Sequence, residues 1–304
     1  MPAINAPYLI YLGDTKIAGL AKTGLGLAYW RPDRCLAQFR EPDCAADLDL
    51  PDMSIEAAVA AGAKTLVIGT AIIGGQLPTS WVSRLVEAME AGLDIASGLH
   101  TSLKDIQALS EVAERTGRKL HDVRLAKGNY PIATGLPRSG NRMLMLGTDC
   151  AVGKKYTALA IHKEMVAQGM NSTFRATGQT GVLIDGTGIS VDAIVSDFLA
   201  GAVEQLTPEA PTDHWDVIEG QGSLIHPAFA GVSLGLLHGS QPNAFVVCHE
   251  ANRENLSGFP GHKTGGIAEI IDLTTRLCRH LSPDIRCVGL SINTSKLAEG
   301  AAKG

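Results

Sequence analysis

The stretch Met143-Leu144-Met145-Leu146-Gly147-Thr148-Asp149-Cys150-Ala151-Val152-Gly153-Lys154 decides how this chain is read. Four consecutive apolar residues bounded by a glycine have the length and character of a fully buried strand. Gly147 and Gly153 bracket the loop, Lys154 closes it, and a helical pattern follows over 154–168. Strand, glycine-bounded loop, lysine and helix together make a phosphate cradle. Glycines let backbone N–H groups turn inward, the helix N-terminus adds partial positive charge, and the lysine adds a full one. The residues assigned to the cradle are Gly147, Thr148, Cys150, Ala151, Val152, Gly153 and Lys154, with Lys155 and Tyr156 beside them.

Working outward, the residues after the loop predict further buried strands at 172–176, 216–218, 244–248 and 287–292, separated by helices over 192–204 and 267–280. Upstream, strands are expected at 8–12, 65–69 and 94–96, with helices over 54–61, 80–91 and 102–115. This alternation predicts an α/β protein with a Rossmann-like N-terminal domain over 1–137 and a second doubly wound parallel sheet of the P-loop type over 138–304. The glycine- and proline-rich segment 127–141 is the expected linker. Gly24-Leu25-Gly26 is too short a match to the dinucleotide fingerprint to assign a site. Residues 298–304 read as a frayed end.

The chain has 304 residues, enough for two domains each with its own core. A 45% hydrophobic content argues for a compact fold. The net charge of −5, from 26 basic and 31 acidic residues without a long run of either sign, excludes the electrostatic footprint of a nucleic-acid or anionic-membrane partner. A small-molecule partner is expected. The N-terminus lacks a basic leader and no apolar run is long enough to span a bilayer, which points to the cytosol. The six cysteines form no C-x-x-C pair and read as free thiols. The histidine spacings indicate no metal site. Enzymes of this size are commonly symmetric homo-oligomers.

Several segments at strand ends carry chemistry. Where hydrolytic P-loops place the Ser or Thr that holds Mg²⁺, this chain has Lys155. A second cation there suits a pyrophosphate that is held and not cleaved, as in coenzyme A; the alternative is that Thr157 or a carboxylate still holds Mg²⁺ for ATP. Glu219-Gly220-Gln221-Gly222-Ser223 follows the strand at 216–218, so Glu219 should face the same crevice as the loop. Glu219, Asp149 and Asp192 are the candidate general bases. Arg175, Gln179, Gln221, Ser223, His249 and Arg253 are candidate substrate contacts, the arginines because a guanidinium pairs bidentately with a carboxylate. His226 and Pro227 follow Ser223 closely and are placed to line the same cleft. Cys150, at a helix N-terminus, is read as a small residue filling the loop before it is read as a nucleophile.

The loop resembles the G-T-D-T-x-V-G-K-T variant of dethiobiotin synthetase, and Glu219-Gly220-Gln221-Gly222-Ser223 resembles the E-G-A-G-G segment of that enzyme. Over nearly its whole length, through Gly13-Asp14, Ala21-Lys22-Thr23, Gly147 to Lys154, Asp192-Ala193-Ile194 and Glu219 to Leu224, the chain resembles the family of DgcN-type D-glutamate N-acetyltransferases. The resemblance implies a Rossmann-like domain, a P-loop domain, and transfer of an acetyl group from acetyl-CoA to the amine of D-glutamate, the product passing to an N-acetylglutamate racemase; the residue reading at Lys155 adds that no metal is required. Two other readings carry different predictions. A Mg²⁺-dependent ligase or kinase of the dethiobiotin synthetase type would release ADP, and a nucleotide-binding regulator would bind without turnover. The chain ends sooner after Ser291-Ile292-Asn293-Thr294 than the resemblance leads one to expect.

Overall fold

A computed structural model describes residues 4–72, 74–125 and 128–302. The described chain divides into two compact units, one of Met1–Ala126 with Val182–Ser190 and one of Lys127–Gly181 with Val191–Gly304.

The N-terminal unit is built on five parallel strands: β1 (Tyr8–Gly13), β2 (Cys35–Arg40), β3 (Thr65–Ile68), β4 (Asp94–Ser97) and β5 (Leu120–Asp122), in the order β2-β1-β3-β4-β5. Helices α1 (Lys22–Trp30), α2 (Ile55–Ala60), α3 (Val82–Glu90) and α4 (Gln107–Thr116) connect them. The expected strands and helices at 8–12, 54–61, 65–69, 80–91 and 94–96 are present. The helix expected over 102–115 starts later, because Leu103–Asp105 form a 3-10 turn first. Helix α1 and strands β2 and β5 were not anticipated. β2 has only Ala37 and Gln38 buried, between half-buried pairs at either end, so it lacks a continuous apolar run. Every residue of β1, β3 and β4 is buried, as covering a parallel sheet on both faces requires. Ser54 caps α2 by accepting from the Ala57 amide at 3.2 Å.

The second unit repeats the plan with β6 (Asn141–Gly147), β7 (Ser172–Arg175), β8 (Trp215–Ile218), β9 (Ala244–Glu250) and β10 (Arg286–Asn293), in the order β10-β9-β6-β8-β7. All pairs are parallel, with Leu144 opposite both Phe245 and Ile218, so β6 is the central strand. Its helices are α5 (Lys154–Ala167), α7 (Ser196–Leu206), α8 (Ala230–Ser240), α9 (Ile267–Cys278) and α10 (Glu299–Ala302), while α6 (Gln179–Asp185) begins in this unit and ends in the segment 182–190 assigned to the first. The helix expected from 192 begins at Ser196, after a 3-10 turn over Val191–Ala193. α6 lies in a stretch that reads as loop, and α8 is rich in Gly and Ser. Leu144, Phe245, Val247 and Val217 are fully buried and hold the sheet centre, each contributing roughly 1.5–3 kcal/mol of apolar burial. Because connections run off β6 to β7 on one side and off β8 to β9 on the other, the carboxyl ends of β6, β8 and β9 border a crevice at the switch in strand order. No helix among the described residues is long and apolar enough to cross a membrane.

Candidate functional site: a buried carboxylate beside a phosphate loop

The loop leaves β6 at Gly147 and enters α5 at Lys154. Its path needs left-handed backbone at Ala151 (φ 55°) and Gly153 (φ 108°), the second of which glycine adopts without strain. Gly147 has no room for a side chain: a Cβ would lie 2.8 Å from Val152 Cγ2 and 3.1 Å from the Cys248 carbonyl oxygen. Lys154 is almost wholly buried and its Nζ donates to the Asp149 carbonyl at 2.7 Å, folding back over its own loop. Burial pushes its ammonium below the usual lysine range.

Asp149 is completely buried and saturated with donors. Oδ2 accepts from Arg253 Nη1 at 2.7 Å and the Ser257 amide at 2.8 Å, while Oδ1 accepts from the Cys150 amide at 2.6 Å. Arg253 in turn donates to the Cys150 carbonyl at 2.7 Å and to Glu250 through Nη2 at 2.6 Å. Glu250 also meets Lys296 at 2.5 Å. Asp149 and Arg253 therefore tie the phosphate loop to the segment after β9. Thr148, fully buried, bonds His249 Nδ1 at 2.9 Å and makes a second tie. Cys150 is half-buried, and burial pushes its thiol up despite the nearby Lys154 and Arg253 cations.

Glu219 stands at the carboxyl end of β8. Its Oε2 accepts from the Thr177 amide at 2.9 Å and the Gly178 amide at 3.1 Å. Only 5% of the residue is exposed, and burial raises its carboxyl to about 7, against the opposing pull of Lys155 and the two amides; the charge of Asp192 adds to the rise. The next residue, Gly220, packs its backbone against β6, where a Cβ would fall 1.5 Å from the Met145 carbonyl oxygen. Gln221 donates to the Thr177 carbonyl, locking the turn. Three buried polar atoms at this end of the sheet have no hydrogen-bond partner among the described residues: Gln179 Oε1, Ser223 Oγ and His226 Nε2. Such orphans are uncommon and mark where a ligand or water is needed.

The residues singled out in the sequence fall into separate groups. Gly147 to Tyr156, Glu219, Gln221 and Ser223 line the loop and the adjoining turn; Asp192 is near enough for its charge to act on Glu219. Lys155 Nζ lies 4.6 Å from the centroid of the Tyr156 ring. Arg175 Nε donates to the buried Asp216 at 2.6 Å. Thr157, the alternative Mg²⁺ ligand, bonds Ser291 Oγ at 2.8 Å and receives Cys248 Sγ at 3.5 Å, so its hydroxyl is engaged with β9 and β10. His226 was noted only as a lining residue, and the structure gives it a larger place. The fold brings Asp149, Cys150 and His226 together with ligand atoms within 4.8 Å of one another, which histidine spacing could not show. His226 Nδ1 accepts the Ala228 amide at 3.2 Å. The proton of a neutral ring then sits on Nε2, the nitrogen facing Asp149, and a metal there would have to displace it.

Two proteins named D-glutamate N-acetyltransferase are similar to this chain along almost its full length. One, from Tritonibacter scottomollicae, is 50% identical over 299 residues, covering 98% of this chain and 90% of the relative. The other, from Pseudoalteromonas sp., is 42% identical over 295 residues, covering 97% and 89%. The crystal structure of a DUF1611 family protein from Anabaena variabilis, at 2.30 Å resolution, superposes with a TM-score of 0.88 at 34% identity, covering 98% of this chain and 91% of that one. The Rossmann-like domain DUF1611_N matches residues 40–126 and the P-loop domain DUF1611_C matches residues 131–304, both described as domains of unknown function. With both domains matched and relatives aligned throughout, this chain belongs to the DUF1611 family.

Proposed function

We propose that this chain is an N-acetyltransferase that moves the acetyl group of acetyl-CoA to the amine of D-glutamate. The names of the two relatives support the reaction, and the observation in the fold that carries it is Glu219. A buried carboxyl raised to about 7 beside a phosphate loop is a base matched to neutral pH.

In this reading the amides of the loop, with Gly147, Thr148, Cys150, Ala151, Val152, Gly153, Lys154, Lys155 and Tyr156 around them, hold the coenzyme phosphates. Lys155 in the Mg²⁺-hydroxyl position, with the Thr157 hydroxyl engaged elsewhere, supports a pyrophosphate used as a handle with no metal. The thioester would have to lie within reach of Glu219, at the carboxyl end of β8. Glu219 takes a proton from the substrate ammonium, and the freed amine attacks the thioester carbonyl carbon. As the C–S bond of the tetrahedral adduct breaks, the nitrogen gives up its second proton to the departing CoA thiolate, leaving the neutral amide and CoA thiol, and Glu219 returns its own proton to solvent. Gln179, Gln221 and Ser223 would serve as polar contacts to the acceptor, Arg175 as the partner of a carboxylate, and His249 as the residue that orients Thr148. Asp149 and Arg253 are so fully occupied by each other and by Glu250 that they suit anchoring the loop, not proton transfer or substrate binding; Asp192 tunes Glu219 by its charge. The enzyme would work in the cytosol as a homo-oligomer on a small-molecule acceptor and pass its product to an N-acetylglutamate racemase.

The test is mass-spectrometric detection of product after incubating the purified chain with acetyl-CoA and D-glutamate. A new species at the mass of N-acetylglutamate, absent without enzyme, is expected; its absence under all acceptor concentrations contradicts the proposal.

A further inference from the structure

We propose that His226 is a positioning residue of the phosphate loop, a reserve donor that takes over Asp149 when the loop gives one of its amides to a ligand. This rests on the loop holding the phosphates of acetyl-CoA.

The ring of His226 packs against two aromatic side chains. It stacks on Phe229 with centroids 4.8 Å apart and meets the edge of Phe259 at 5.0 Å. The His226 amide donates to the Ser223 carbonyl at 3.0 Å, and its own carbonyl accepts from Ala230 at 3.0 Å, at the start of α8. Nδ1 accepts from Ala228, so the ring carries its proton on Nε2. That N–H is fully buried and has no acceptor among the described residues: Asp149 Oδ1 lies 3.9 Å away, about 0.7 Å beyond hydrogen-bond range.

Asp149 Oδ1 presently accepts from the Cys150 amide at 2.6 Å. Cys150 is in the loop, and a phosphate is bound there by the inward-turned amides of just such residues. When an oxyanion takes the Cys150 N–H, Oδ1 loses its donor, while Oδ2 keeps Arg253 and Ser257. A buried carboxylate oxygen left bare is costly. The His226 Nε2–H, 3.9 Å away, is the nearby unpaired donor, and closing the gap satisfies both orphans at once. One exchange of hydrogen bonds thus couples ligand binding in the loop to the turn that carries Glu219.

Two substitutions separate this role from a structural one. His226→Asn keeps an oxygen where Nδ1 accepts from Ala228 but has no N–H at the Nε2 position; His226→Gln can place an amide N–H near Nε2. Acetyl-CoA binding is measured by titration calorimetry on the full chain, together with unliganded melting temperature. Both variants lose the ring stacked on Phe229 and are expected to melt below wild type; H226N should also bind about tenfold more weakly, the worth of one charge-assisted hydrogen bond, and H226Q, at a similar melting temperature, should bind more tightly than H226N. Equal binding by H226N and wild type overturns the inference, as does equally weak binding by H226N and H226Q. Wild type that binds no acetyl-CoA refutes the reading of the loop itself. If neither variant folds, long-range ¹H–¹⁵N spectra of the wild-type ring decide: a proton on Nε2 that shifts on adding acetyl-CoA is expected, and a proton on Nδ1 overturns the exchange.

Discussion

Replacing Glu219 by Gln removes a charge that the fold holds at a cost, and its consequences run in opposite directions for stability and activity. Burial moves the carboxyl from 4.5 to about 7, which at 1.36 kcal/mol per pH unit corresponds to about 3 kcal/mol. The sign follows from linkage. A carboxyl raised in the folded state stabilises the fold fully below its unfolded value and loses that contribution as pH rises through about 7. Wild type should therefore lose about 3 kcal/mol between pH 4.5 and pH 8 from this group, and E219Q should not. Gln can still accept from the Thr177 and Gly178 amides through its oxygen, so the turn survives. Activity moves the other way, because a missing general base costs roughly 10²- to 10⁴-fold in kcat. Urea unfolding at a series of pH values, alongside steady-state kinetics, reads both. The wild-type rate should climb through a limb near pH 7 that vanishes in the variant. An E219Q protein within a few-fold of wild-type kcat, or one whose stability tracks the wild-type pH curve, would refute the assignment.

Other outcomes follow from the same geometry. Lys154→Ala should raise KM for acetyl-CoA roughly ten- to hundredfold, the worth of a buried ammonium on phosphate, with a smaller effect on KM for D-glutamate; equal KM values in steady-state kinetics count against the cradle. Arg175→Lys keeps the charge beside Asp216 but loses the planar fork, so KM for D-glutamate should rise about tenfold while that for acetyl-CoA stays put. Gly220→Ala drives a Cβ to 1.5 Å from the Met145 oxygen and should cost at least about 3 kcal/mol in denaturant unfolding; a wild-type midpoint would show that β6 and β8 can separate there. Thr157→Val breaks the bond to Ser291 and should cost about 1 kcal/mol without altering the response of activity to EDTA.

The parts of the fold that were legible in the sequence are those encoded in contiguous residues. Met143 to Lys154 contains strand, loop and helix start in one run, and Leu66 to Ile68, Ile95-Ala96 and Ala244 to Cys248 form apolar stretches within β3, β4 and β9 because both faces of a parallel sheet are covered. Elements whose burial is uneven escaped. Strand β2 carries Gln38 inward to bond Asp47 and the Leu50 carbonyl, and α8 packs on α7 through glycines, including Gly235 and Gly239, that leave no hydrophobic period to detect. At the site, the cradle and Glu219 could be named from strand-end logic. The saturation of Asp149 by Arg253 and Ser257, the orphaned Nε2 of His226 and the engagement of Thr157 with Ser291 join residues far apart in the chain, and only the folded sheet brings them together.

The most direct test of the central claim is thiol release from acetyl-CoA by the purified chain, with D-glutamate, with L-glutamate and without acceptor, each repeated in EDTA and with ATP-Mg²⁺ replacing acetyl-CoA. Thiol release that requires D-glutamate and survives EDTA is the predicted result; no thiol release, with Mg²⁺-dependent formation of ADP, would contradict the account.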